Sequence, residues 1–365
     1  MNFNEALRKS ISKELKNNYK DNWDYYRYGN EPLLNAVSSK LKNALKTGLQ
    51  ASGLFNQFFT NRYMNAFNNL ISNFSFLYEN LEDEASKNLL INVLTYRILG
   101  YKKVKINLGG IDYKIEMQKI EQLFDKDDFV LPEQFQIKQH KINLQEMGYP
   151  ISMYLSGLGI FYDFVFKQYE INREGLSIKV SPGDTVIDGG GCFGDTALYF
   201  SYLTGSTGKV FSFEFIPNNI SLFKKNIELN PAIKDMIYLS PFPLWDKSDL
   251  DVYYKDNGPG SIVSFTNDFP YEGTVKTVSI DDFAERNHIE RVGFIKLDIE
   301  GAELNALQGA IKTLVKDQPK LAIALYHSEE DFDRIPRFIK SINPAYKFYF
   351  HHATINKEES VLFAI

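Results

Sequence analysis

An apolar run that ends in a carboxylate and then breaks into glycines constrains this chain more than any other feature. Val186-Ile187-Asp188-Gly189-Gly190-Gly191-Cys192-Phe193-Gly194-Asp195-Thr196 reads as a strand, a glycine loop and the start of a helix, because Thr196-Ala197-Leu198-Tyr199-Phe200-Ser201 resumes with helical spacing. Without a Cβ, glycine lets the backbone pass close to a ligand. The helix that follows offers unpaired N–H groups and the positive end of its dipole. A nucleotide-like ligand therefore belongs here. Gly189-x-Gly191-x-x-Gly194 satisfies the dinucleotide fingerprint, with Glu214 at the end of the next strand as a ribose ligand. Asp188-x-Gly190-x-x-x-Gly194 equally fits a loop for S-adenosylmethionine. A carboxylate beside the bend repels a pyrophosphate and tolerates a cationic methionine end, which favours the second ligand. The loop alone leaves both open.

The rest of the C-terminal part alternates strand and helix. Val210–Glu214, Ile237–Leu239, Phe294–Asp298 and Leu321–Leu325 read as strands, and Leu250–Tyr254 as an added one. Asn218–Leu229, Ser279–Asn287 and Ala302–Lys316 read as helices, the last with Leu307, Ala310, Ile311, Leu314 and Val315 on one side. Phe332–Ile342 reads as a helix distorted or split at Pro336, and Tyr346–Phe350 with Ser360–Ala364 as a closing hairpin. Such a series predicts an α/β fold: a doubly wound, mostly parallel sheet with a C-terminal antiparallel hairpin. Ordinary dinucleotide domains lack that hairpin, and Rossmann-like methyltransferases have it.

Ahead of this lie two stretches of different character. Residues 1–100 read as a helical region, with Leu33, Leu34, Val37, Leu41, Leu45 and Leu49 stepping by three or four, as do Leu89, Leu90, Val93, Leu94 and Ile98. Gly100 is placed to cap the end. Trp23-Asp24-Tyr25-Tyr26-Arg27-Tyr28 is either a stacking platform for a sugar or base, or a core patch between helices, and the second is the commoner use of such residues. Residues 101–149 read as a small β-rich connector: Val104-x-Ile106-x-Leu108, the turn Gly109-Gly110 and Tyr113-x-Ile115-x-Met117 suggest a hairpin. The catalytic domain is then 150–365.

Bulk properties exclude several classes. The net charge of −5 argues against a general nucleic-acid binder. No run approaches the ~18–20 apolar residues that span a bilayer, and Met1–Lys20, charged from Glu5 onward, lacks the apolar core of a signal peptide. The one cysteine, Cys192, excludes an intrachain disulfide framework. A cytoplasmic enzyme is expected. His140, His288, His327, His351 and His352 show no metal-ligand spacing, so no metal is expected.

A second acidic cluster, Asp298-Ile299-Glu300-Gly301-Ala302-Glu303, lies where the fourth parallel strand meets its helix. The first and fourth strands flank the switch in strand order, so Asp188 and Asp298 should converge on one crevice. With Phe211–Glu214, Val278-Ser279-Ile280-Asp281-Asp282-Phe283 and Leu307-Gln308-Gly309-Ala310, this order of motifs resembles the FkbM-type family of S-adenosylmethionine-dependent methyltransferases over residues 150–365. Two departures stand out: Cys192 where many relatives carry Asn, and Ala324 and Leu325 ahead of His327 where an acid is common.

The resemblance implies O-methylation of a hydroxyl, most often on a sugar of a polysaccharide, glycolipid or other glycan, with S-adenosylmethionine as donor and S-adenosylhomocysteine as product. It implies a cofactor site of Asp188, Gly189, Gly190, Gly191, Cys192, Phe193, Gly194, Thr196, Glu214, Phe215, Trp245 and Asp298, with 240–246 along the adenine. Asp188 would sit near the ammonium and Glu214 on the ribose. His327 is the candidate base, with Asp298 the alternative, and Glu300, Ser261 and His327 would face the acceptor. Cys192 as a nucleophile is disfavoured, because direct transfer needs no covalent intermediate. Competing readings are an NAD-dependent sugar-modifying enzyme, for which no well-placed Tyr-x-x-x-Lys pair is found, and a non-catalytic binding module on the same fold. Nucleic-acid N-methylation is disfavoured, since no Asn/Asp-Pro-Pro-aromatic motif follows Leu297. The helical N-terminus is expected to serve a long acceptor, a homo-oligomer or a partner enzyme.

Overall fold

The structure, a computed structural model, describes residues 1–31, 53–173, 175–267 and 270–365. The leucine series from Leu33 to Leu49 lies outside the described residues. The central sheet has seven strands: β1 (Thr185–Gly189), β2 (Lys209–Phe213), β3 (Ile237–Ser240), β4 (Phe294–Leu297), β5 (Lys320–Ala324), β6 (Phe348–His352) and β7 (Ser360–Ala364). Their order is β6-β7-β5-β4-β1-β2-β3, with β7 antiparallel to both β5 and β6 and the others parallel. The inner strands are buried on both faces under helices, which is why β4, apart from Lys296, and β5 from Leu321 onward read as apolar runs.

From β1 the chain winds outward through β2 and β3, then returns to lay β4 on the other side of β1. That reversal leaves a crevice at the carboxyl ends of β1 and β4. Lys296 pairs in register with Asp188, and Leu297 with Gly189, so the two acidic strand tips are neighbours. Helix Asp195–Thr204 rises from the glycine loop with its N-terminus at this crevice.

Three features differ from the expected elements. The 104–117 stretch is not a hairpin: Val104, Ile106 and Leu108 are buried in an extended segment, and Tyr113–Leu123 is a helix. Asp112 caps it by accepting from the N–H groups of Lys114 and Ile115, and Tyr113, Met117 and Ile120 share its buried face. A three-residue overlap of period two and period four hid this. The helix expected over 302–316 is two, Glu303–Gln308 and Ile311–Asp317, and Ile311 and Val315 are exposed. A Cβ at Gly309 would strike the Trp245 carbonyl oxygen, so the bend is where the chain passes the 242–245 segment. Asp331–Ile342, by contrast, continues unbroken through Pro336. The strand Asp251–Lys255 belongs to a separate antiparallel sheet with Ile262–Ser264 and Gly273–Lys276.

The N-terminal helices share the core of the sheet domain. Helix Glu84–Leu99 covers the outer strand β6, where the Phe350 N–H donates to Ser86 Oγ at 2.8 Å. Helix Asn68–Asn80 packs on Asp331–Ile342, and the rings of Phe74 and Phe332 stack at 4.1 Å. An edge strand covered in this way cannot recruit a foreign strand. Within the aromatic cluster, Trp23 packs on Tyr28 and Tyr101, and buried Asp24 accepts from Tyr113 Oη and Asn356 Nδ2. Asp24 is buried and Trp23, Tyr26 and Arg27 are half-buried, whereas Tyr25 and Tyr28 are exposed, so the cluster is a core patch only in part. Arg27 and Tyr28 also reach a cavity beside the crevice. Among the described residues no helix is long and apolar enough to cross a membrane.

Candidate active site

The glycine loop is shaped by what lies behind it. Gly190 has φ +81°, and a Cβ there would strike the Asp298 carbonyl oxygen; a Cβ at Gly191 would strike Ser212 Oγ. The N–H groups of Gly190 and Gly191 both donate to the Phe213 carbonyl, at 3.1 and 3.0 Å. Gly190 thus faces two cavities that meet at the crevice, and Cys192, Phe193 and Thr196 face the larger, while Gly189, Gly191 and Gly194 form the bend.

Asp188 departs from expectation. Its carboxylate is wholly buried, accepts from Thr196 Oγ1 at 3.0 Å and Ser212 Oγ at 2.7 Å, and pairs with Lys296 Nζ at 3.3 Å. Lys296, itself buried, also donates to the carbonyls of Gly189 and Gly190 at 2.9 and 2.7 Å. Burial works against the Lys296 charge, but Asp188, Asp298, Asp195 and Asp163 outweigh it and hold the ammonium on. Asp188 therefore fixes the loop from beneath and does not reach a ligand ammonium directly. Thr196 spends its hydroxyl on the same carboxylate. Burial, then Asp195 and Glu214, push the Cys192 thiol well above its ordinary pKa, which leaves it inert as a nucleophile.

The smaller cavity, ≈ 310 Å³, opens between the tips of β2, β3 and β4. Glu214 projects from the end of β2 into it, accepting from the Ile216 N–H at 2.7 Å and from Asn219 Nδ2 at 3.1 Å. Burial pushes its carboxyl up to about 7 against those two bonds. Phe242, Leu244 and Trp245 form an apolar wall, with Phe265 edge-on to Trp245 at 5.3 Å. Phe215 and Ser261 complete it; the Ser261 hydroxyl donates to the Gly258 carbonyl at 2.6 Å.

The larger cavity, ≈ 640 Å³, lies on the other side of Gly190 and shares Asp298, Glu300 and Pro259 with the smaller. Asp298, just past β4, accepts from Tyr169 Oη at 2.7 Å and Tyr326 Oη at 2.9 Å. Burial would raise it, but His327, Lys296 and both tyrosines outweigh burial and hold it below the usual carboxylate range. His327, after β5, has Nε2 3.4 Å from Asp298 Oδ1 and 3.6 Å from Glu300 Oε2, and Nδ1 3.0 Å from Glu303 Oε1. Burial disfavours its charge, yet Glu300, Glu303 and Asp298 together push it up to about 11. At neutral pH these surroundings favour an imidazolium, so the free neutral base expected at His327 is not what they provide. Glu300 sits in the left-handed region at φ +56°, with its carboxylate at the junction of the cavities.

Several of these residues lie outside the motifs of the sequence. Lys296 interrupts an apolar strand, which was a readable mark of a buried ion pair. Asp163 has no such mark: it lies on the π-helical turn Phe161–Phe166 and meets Asp195 across the larger cavity. Burial and Asp195 push the Asp163 carboxyl well up, and burial raises Asp195 as well. Asp298, Glu303 and His327 also bring one ligand atom each to within 4.8 Å, a grouping that spacing along the chain conceals.

A cavity under a glycine loop, a strand-end carboxylate within it and β7 inserted antiparallel are the arrangement of the Rossmann-like methyltransferase fold. Residues 188–348 match the family model described as a methyltransferase FkbM domain. Among solved structures, methyltransferase FkbM from Methylobacillus flagellatus KT superposes with a TM-score of 0.52 at 18% identity, covering 83% of this chain and 60% of that one. The chain thus spans about three-fifths of that relative's length. Aeropyrum pernix fibrillarin with bound S-adenosyl-L-methionine gives a TM-score of 0.34 at 14% identity over 52% of this chain and 70% of that chain. A Thermotoga maritima SAM-dependent O-methyltransferase gives 0.31 at 14% over 51% and 60%. No curated protein matches the chain.

Proposed function

We propose that the protein transfers a methyl group from S-adenosylmethionine to a hydroxyl of a sugar in a polysaccharide, glycolipid or other glycan. The observation that carries this is the meeting of two cavities at Gly190, Asp298 and Glu300, one suited to a nucleoside and one to a polyol. The cofactor fits the residues present: a Cβ would close the approach at Gly190, and Glu214 offers each of its oxygens to a ribose hydroxyl while Trp245 and Phe242 flank the base. S-Adenosylmethionine supplies a methyl on a sulfonium sulfur, an excellent leaving group, so positioning accounts for much of the acceleration.

The larger cavity supports a neutral or cationic acceptor. Asp163, Asp195, Asp298, Glu300, Glu358 and Glu359 line it and outnumber its basic residues Arg27, Lys296, His327 and Lys357, of which Arg27 is paired with Glu358 and Glu359 and Lys296 with Asp188. A phosphate backbone would meet repulsion there. Tyr28, Tyr162, Tyr169 and Tyr326 present rings and hydroxyls to the same space, as sugar faces require. Asp298 orients the acceptor hydroxyl, and Glu300, at the junction of the two cavities, takes its proton.

Titration calorimetry with S-adenosylhomocysteine and with NAD tests the cofactor reading. Tight S-adenosylhomocysteine binding, lost in Asp188→Ala through collapse of the loop, is expected; NAD binding in its place overturns the assignment. Mass spectrometry of glycans from producing cells, seeking a gain of one methylene, tests the acceptor.

A further inference from the structure

Beneath the acceptor cavity two side chains from separate strand ends, Glu303 and His327, leave polar atoms without partners. Glu303 is wholly buried at the start of helix Glu303–Gln308; Oε1 accepts from the Ile299 N–H at 2.7 Å, and Oε2 has no hydrogen-bond partner. The His327 side chain is 9% exposed, and neither ring nitrogen has an aligned partner, although carboxylate oxygens stand 3.0 and 3.4 Å away. A buried polar atom left unpaired costs about 1–3 kcal/mol, so such atoms in one place ask for a ligand.

We propose that Asp298, Glu303 and His327 bind a divalent transition-metal cation, Mn²⁺ or Zn²⁺ in type, that faces the acceptor cavity and takes the place of the His327 imidazolium proton, which is released to solvent. One ligand atom from each lies within 4.8 Å of the others. Ligands at ~2.0–2.2 Å around a common centre stand roughly 3–4 Å apart, which small rotamer adjustments here supply. One imidazole with two carboxylates selects Mn²⁺ or Zn²⁺ over Ca²⁺ or Mg²⁺, which take oxygen. Tyr169 and Tyr326 donate to Asp298 and orient it as outer partners. Asp298 and His327 both line the larger cavity, which gives the ion an entry path and leaves its open positions toward the acceptor. A sugar hydroxyl bound there becomes more acidic, and its proton passes to Glu300, whose Oε2 is 3.6 Å from His327 Nε2.

The role on the hydroxyl rests on the acceptor reading above; the ion site does not. Electron paramagnetic resonance titration of the full chain with Mn²⁺ alone, without cofactor or acceptor, reads the site directly. One bound ion, displaced by Zn²⁺ and weakened about tenfold or more in Glu303→Gln and in His327→Gln, is the expected result. Melting curves establish that both variants are folded. Should either fail to fold, electron spin-echo modulation on the unaltered protein is decisive, because Mn²⁺ in this site shows coupling to a histidine nitrogen. No Mn²⁺ binding at millimolar concentration, binding unchanged in a folded variant, or a bound ion with no nitrogen coupling overturns the proposal. Mn²⁺ binding without S-adenosylhomocysteine binding would sink the methyltransfer reading and spare the ion site; the reverse result does the opposite.

Discussion

Glu214→Gln should make the protein more stable and bind cofactor worse, and the two effects should separate with pH. Burial lifts the Glu214 carboxyl from 4.5 to about 7. A rise of about 2.5 at ~1.4 kcal/mol per pH unit gives a cost of roughly 3 kcal/mol. The sign follows from proton binding: between 4.5 and 7 the folded state holds a proton that the unfolded chain has released. The penalty is therefore absent below pH 4.5, grows as pH rises toward 7 and is complete above it. Glutamine never bears that charge. It keeps an acceptor for the Ile216 N–H but sets an amide NH₂ against Asn219 Nδ2, which forfeits about 1 kcal/mol. The variant should gain about 2 kcal/mol at pH 8, a few degrees in melting temperature, and nothing at pH 5. Its S-adenosylhomocysteine affinity at pH 8 should fall at least about tenfold, since ribose hydroxyls bond more strongly to a carboxylate than to an amide. Wild-type affinity should likewise weaken as pH drops through 7. Melting curves at pH 5, 6.5 and 8 with calorimetry at the same values check this. A melting difference that does not change with pH, or full affinity in the variant, refutes the reasoning.

Other changes probe the frame around the site. Lys296→Met should destabilise by about 3–5 kcal/mol, because it strands the buried Asp188 charge; adding Asp188→Asn should restore part of the melting temperature. Gly190→Ala places a Cβ on the Asp298 carbonyl at φ +81°, and calorimetry should register lost S-adenosylhomocysteine binding together with a lower melting temperature. Phe74→Ala removes the ring stacked on Phe332 and should cost about 3–5 kcal/mol. Its denaturation should remain one transition, because the N-terminal helices share the core of the sheet domain; a separate early transition would contradict that packing.

The alternation of buried runs and amphipathic helices after Asp184 specified the sheet, and the glycine loop located its crevice. Both are legible because they follow from periodicity and from glycine's conformational range, which act over a few residues. Where two periodicities overlap, as over 104–117, local pattern could not separate strand from helix. The Asp112 cap and burial against the neighbouring 157–166 segment favoured helix. Residues 302–316 carried one helical period, but the chain passing Gly309 divided it.

Residue types at strand ends were readable in advance: Glu214, Asp298, Glu300 and His327 all stand at the crevice. Their electrical state was not. Asp188 became a buried support because Thr196, Ser212 and Lys296 converge on it from three elements. His327 became cationic because Glu300 and Glu303 join Asp298 around it. Asp163 and Tyr169 entered the site from the segment ahead of the sheet. Charge states and ligand sets depend on desolvation and on distances between residues far apart in the chain. Sequence periodicity encodes which face a side chain takes, while only the closed tertiary packing determines what it meets there.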